Sequence, residues 1–147
     1  MTLDNATMND MMKKWERKEL WSRRGDDFLV QVSRHSVNLN PDFSEGPHRW
    51  CVYAYIYPNH RLFSKFSGQD MWQDAATSLP LHAGPSLLRW HYDDYGKPTS
   101  VQVGADYNHL GDDGYTHCAE AEDAYSVFRD ADELFLYLSN FPLTNHP

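Results

Sequence analysis

The segment RWCVYAYIY, residues 49–57, constrains this chain more than any other stretch. It is aromatic and β-branched and Pro58 stops it, so it reads as a strand. Alternation divides it into two faces, Trp50, Val52, Ala54 and Ile56 on one and Cys51, Tyr53, Tyr55 and Tyr57 on the other. A strand with one wholly apolar face belongs in a sheet covered on that side by a second layer.

The rest of the chain supplies the partners. Residues 19–24, then Gly25-Asp26-Asp27, then residues 28–36 read as a hairpin, with Phe28, Val30 and Val32 on one side of its second strand. Residues 38–48 collect Asn, Pro, Gly and Ser, which marks a loop. A second hairpin joins residues 87–93 to 99–106 around Asp94-Tyr95-Gly96-Lys97, with Gly96 at the position that needs positive φ. Residues 58–68 read as an irregular excursion, and residues 69–77 as two turns of helix ended by Pro80.

Towards the end the period changes. Ala121, Ala124, Tyr125 and Phe128, then Ala131, Leu134, Phe135 and Leu138, fall at helical spacing. Asp130 with Glu133 resembles a capping box, which predicts two helices meeting at Arg129–Asp130, or one bent helix. Near the start, Met8, Met11, Met12 and Trp15 suit a helix over 7–18, while Trp15, Arg17, Glu19 and Trp21 suit a strand. Strands followed by terminal helices give the α+β class. The expected architecture is a two-layer single domain over 1–147, an antiparallel sheet of about five strands with C-terminal helices on one face. Residues 1–14 and 140–147 are expected to be frayed or peripheral.

Leu, Ile, Val and Phe make up only 29 of 147 residues, but 14 Trp and Tyr side chains provide the apolar bodies of an aromatic-rich core. There is no run of 18 apolar residues and no basic-then-apolar leader, so a cytoplasmic protein without a membrane span is expected. Two cysteines, Cys51 and Cys118, are too few for a disulfide framework or a four-thiolate metal site. No P-loop, nucleophile elbow or dinucleotide fingerprint occurs.

Charge is divided unevenly. Residues 1–65 balance at +2 and residues 66–147 at −10. Asp112, Asp113, Glu120, Glu122, Asp123, Asp130, Asp132 and Glu133 fall within 22 residues, a surface that repels nucleic acid and attracts basic proteins. Its plain alternative is an ordinary solvated helix face. The basic stretch 11–24, with Trp15 and Trp21, either contacts phosphate or complements the acidic half, within the chain or across a homodimer. The row Tyr53, Tyr55, Tyr57 offers a stacking platform for bases or a protein interface, unless helices cover it.

Residues 106–118 bring together acids, histidines and a thiol. The calcium-loop pattern fails, because Leu110 and His117 stand where oxygen ligands belong. A transition-metal set of His91, Asp93, Asp106, His109 and His117, with Asp112 as the other possible carboxylate, suits zinc or iron chemically, but no fixed ligand spacing supports it. Cys118, beside His117 and read as preceding a helix, is the one thiol placed for activation.

The leading expectation is therefore a small acidic binding protein without catalytic residues or cofactor. Such a protein inhibits or neutralises a basic, nucleic-acid-handling partner in the manner of phage inhibitors, immunity proteins and nucleic-acid mimics. Its contact residues are Tyr53, Tyr55, Tyr57, Asp112, Asp113, Glu122, Asp123, Asp130, Asp132 and Glu133. A metal-dependent enzyme built on the His/Asp cluster and a single-strand binder built on the tyrosine face are the alternatives.

Overall fold

Two tight hairpins and one long excursion build the molecule. The computed structural model describes residues 18–38 and 45–141. Strands β1 (Lys18–Gly25), β2 (Phe28–Ser36), β3 (His48–Ile56), β4 (Leu87–Tyr92) and β5 (Pro98–Asp106) form one antiparallel sheet in the order β1-β2-β3-β5-β4. Gly25 pairs with Phe28, leaving Asp26–Asp27 as a two-residue turn in which Asp27 takes φ 63°. A short polar side chain tolerates that left-handed region. In the second hairpin Gly96 takes φ 82°, and the Asp93 carboxylate accepts the N–H groups of Tyr95 and Lys97, both at 2.9 Å.

The registers Val30–Ala54–Val103–Leu88 and Phe28–Ile56–Val101–Trp90 run straight across the sheet. They place the expected apolar rows on one face, where Phe28, Val30, Val32, Trp50, Val52, Ala54, Ile56, Val101 and Val103 are all buried. The opposite face carries Gln31, Ser33, Tyr53, Tyr55, Gln102, Arg89 and His91.

Helix α3 (Tyr125–Asn140) lies over β1, β2 and β3, burying Val127, Ala131, Leu134 and Leu138. His60 closes its last turn, donating from Nε2 to the Leu138 carbonyl at 3.0 Å while its Nδ1 accepts the Leu62 N–H. The excursion between β3 and β4 joins the same core through Leu62, Phe66, Ala75, Ala76 and Leu79. Over the β4 side of the sheet, Phe63 meets Trp90 edge-on, and the Trp90 indole N–H donates to the Gly68 carbonyl at 2.8 Å.

Three expectations change. The helix over 69–77 shrinks to α1 (Asp74–Thr77), because local bonds claim the residues before it. Asp70 accepts the Trp72 N–H, and the Gln73 amide binds the Ser67 and Asp70 carbonyls. The terminal stripe forms one helix, one of the two forms expected, but it begins at Tyr125 rather than near Ala121. Asp130 sits inside it and accepts a hydrogen bond from Tyr107 at 2.6 Å, so it is not a cap. Tyr125 is 68% exposed, and Val127 takes the buried place in the first turn. Most of the helix expected over 7–18 lies outside the described residues, while Glu19 and Trp21 of the competing strand belong to β1. Residues 1–14 and 142–147 of the terminal stretches also lie outside, but Asn140 ends α3 and Phe141 stacks on His60 with ring centres 6.0 Å apart. Among the described residues no helix is long and apolar enough to cross a membrane.

Candidate functional site

The open end of the β4–β5 hairpin brings two distant loops side by side. Because Leu87 pairs with Gly104, the residues just before β4 must lie against those just after β5. The first loop is a turn closed by Gly84 N–H to the Leu81 carbonyl at 3.1 Å, with Ala83 at φ 58° and Gly84 at φ 83°. A left-handed alanine is strained by roughly 1–3 kcal/mol, a cost that persists only where the surroundings enforce it. The turn presents His82. The second loop leaves β5 at Asp106, whose Oδ1 accepts the Asn108 N–H at 3.1 Å, and reverses at Asp112, whose N–H reaches the His109 carbonyl. Helix α2 (Asp113–Thr116) follows.

Asp112 is the centre of this arrangement. It is only 6% exposed. Its two oxygens accept His82 Nε2 at 2.9 and 3.0 Å, and Oδ2 also accepts the His109 N–H at 2.9 Å and His109 Nδ1 at 3.1 Å. Burial alone pushes this carboxyl's pKa up, but the His109 backbone and the two imidazoles outweigh it and hold the pKa below its ordinary value. Asp106 stands at the rim, its Oδ1 3.5 Å from His109 Nδ1.

Aromatic rings fix the imidazole. Tyr107 stacks on His82 with ring centres 4.3 Å apart and an 11° tilt, and Tyr115 closes edge-on against both. The Tyr107 hydroxyl donates to Asp130, so α3 braces the ring that braces His82. Burial first, and then the Asp130 carboxylate, push the Tyr107 hydroxyl well above its usual pKa.

His82, His109 and Asp112 each offer one ligand atom within 4.8 Å of the others. A divalent ion held at about 2.0–2.2 Å by nitrogen and oxygen separates neighbouring donors by roughly 3 Å in octahedral order and 3.4 Å in tetrahedral order. The observed His–Asp separations of 2.9–3.1 Å fall at that scale, with N–H protons standing where an ion would bind.

This is not the metal set expected from sequence. Asp106, His109 and Asp112 come together, but His91, Asp93 and His117 do not join them. His91 pairs with Ser100, six residues before Asp106, which is about 20 Å along a strand. It donates instead to Gln102 at 2.8 Å on the open sheet face. Asp93 holds the hairpin turn, and His117 lies beside Gly46. His82 was missing from the expected set, though the signal was available. The hairpin 87–93/99–106 already required residues near 82 to face residues near 109.

The binding residues expected from sequence are dispersed. Tyr53 lies against the bare backbone of Gly104, Tyr55 beside His91, and Tyr57 just past the end of β3. Asp112 is buried, Asp130 is held by Tyr107, and Asp132 meets Arg23 at 3.2 Å. That last contact realises, at one point, the expected match between the basic stretch and the acidic half. Asp113, Glu122, Asp123 and Glu133 are exposed. Cys118 precedes a turn rather than a helix, and burial with nearby Asp123 raises its pKa, the opposite of an activated thiol.

No family model, curated protein or solved structure matches the chain.

Proposed function

We propose that this chain is a metal-dependent protein whose centre is one divalent transition ion held by His82 Nε2, His109 Nδ1 and the Asp112 carboxylate. The observation that carries the reading is the convergence of those three ligand atoms within 4.8 Å from two loops far apart in sequence. Two imidazoles and a carboxylate suit zinc, iron and their neighbours. Three protein ligands leave coordination positions for water, the condition under which such an ion activates water for hydrolysis. Asp106, 44% exposed at its side chain, stands beside that position as the group available to take a proton. The stacked Tyr107 and its Asp130 bond orient His82 from behind, as outer partners do at metal centres.

The test is metal content after chelation and reloading. One equivalent of zinc, cobalt or manganese is expected, with proton release on binding, and with His82→Ala and Asp112→Asn each losing it. If the protein holds no stoichiometric metal under any of these conditions, the cluster is only a hydrogen-bonded latch between two loops and the reading fails.

The acidic binding protein is the second reading, favoured by the exposure of Glu120, Glu122 and Asp123. It draws less support, because Asp112, Asp130 and Asp132 already have partners within the chain. Charge reversal at Glu120, Glu122 and Asp123 is expected to abolish salt-sensitive binding of a basic protein if this reading holds.

A further inference from the structure

We infer that the metal centre takes a neutral or cationic ligand bearing an apolar group, not a phosphate or other anion. The inference rests on the metal reading above and concerns what approaches the ion's remaining positions. Asp112 brings one carboxylate to the ligand set, Asp106 adds a second beside it with its Oδ1 3.5 Å from His109 Nδ1, and Asp113 follows directly at the start of α2. The Asp112 and Asp106 carboxylates together balance a divalent ion, so the loaded centre offers no excess positive charge to an anion. Phosphate recognition relies on arginine and lysine. Residues 66–147, which supply every ligand, contain only Arg89, Lys97 and Arg129. Each is placed elsewhere. Arg89 pairs across from Gln102, four residues or about 13 Å along β5 from Asp106. Lys97 belongs to the far turn of the hairpin, and the Arg129 guanidinium lies over the Tyr125 ring at 6.0 Å. Arg49, on β3, is committed to the Gly46 and His48 carbonyls and to Glu45.

Exposed apolar side chains stand on one of these loops and against the other. Leu110, between His109 and Asp112, is fully exposed, and Trp72 is 63% exposed where it packs by Gly84, two residues from His82. Large apolar groups left in water beside a charged centre mark a surface that an apolar moiety would cover.

A matched set of chelators separates these features. The full chain is loaded with cobalt(II), and its visible bands are followed while benzohydroxamic acid, its 4-carboxy derivative, its 4-aminomethyl derivative or inorganic phosphate is added. The three hydroxamates share head and ring, so only the distal charge differs. The neutral and cationic compounds are expected to bind about tenfold more tightly than the carboxylate, with phosphate weaker still. Acetohydroxamic acid, lacking the ring, should bind severalfold more weakly than benzohydroxamic acid, and Asp113→Lys should narrow the gap between carboxylate and neutral compounds. Equal or tighter binding of the carboxylate or of phosphate overturns the inference while leaving the metal reading intact. So do cobalt bands that no added ligand perturbs, since the centre is then closed. Failure to load cobalt, zinc or manganese overturns the metal reading itself, and the inference with it.

Discussion

Tyr107 does two things at once, and its two ends explain why a tyrosine stands there. The ring stacks on His82, while the hydroxyl crosses to Asp130 on α3. Replacing it with phenylalanine keeps the stack and strands the carboxylate. The expected cost is about 2 kcal/mol in denaturant unfolding near neutral pH, typical of a hydrogen bond to a charged acceptor. A pH dependence accompanies it. The folded-state pKa of Tyr107 is raised above that of the unfolded chain, near 10, so its contribution is complete below that value and lost as pH rises through it. The stability difference between the wild-type chain and Tyr107→Phe should therefore shrink between pH 9.5 and 11.5. A difference that stays constant over that range would mean the hydroxyl ionises as freely folded as unfolded.

Among elements, β3 and β5 approach each other closely at Gly104. A Cβ at Gly104 would meet the Tyr53 ring and the Val52 carbonyl, so the glycine lets the ring lie directly on backbone. Gly104→Ala is expected to lower stability by about 2 kcal/mol in chemical denaturation, as overpacking does, and, on the proposed metal reading, to weaken metal retention because β5 carries the Asp106–Asp112 loop. This element also shows what sequence could reveal. The hairpins and the apolar row from Trp50 to Ile56 were legible because a period of two survives whatever the strand packs against. Asp130 misled for the opposite reason: a local capping pattern says nothing about a tyrosine 23 residues away that claims the same carboxylate. His82 could be reached only through the register of the second hairpin. Its partners are set by strand register, not by spacing, and no short motif records that a turn before one strand meets a loop after the next. The helix over 69–77 shortened because the Asp70 and Gln73 side chains bind nearby backbone.

At the scale of the whole molecule, the acidic half of the chain contributes −10 and the net charge is −8. Among the described residues the Arg23–Asp132 pair reaches into that half, whereas Arg34–Glu19 and Arg49–Glu45 lie within residues 1–65. The Arg23 pair is exposed on both sides and contributes little. Self-repulsion among the remaining carboxylates is then the larger electrostatic effect. Raising sodium chloride from 0.02 to 0.2 M should lift the melting temperature by a few degrees through screening, whereas a fall would mean that attractive pairs dominate.

The pairing of Leu87 with Gly104 has a consequence for how the chain reaches its native state. A slip of two residues between β4 and β5 would keep each side chain on its own face, so hydrophobic patterning alone penalises it weakly. That slip would carry His82 about 6.6 Å from Asp112, beyond any shared ion. A bound cation would therefore act as a proofreader of strand alignment, trapping the correct partner arrangement and slowing amide exchange along the whole hairpin, including its distant tip.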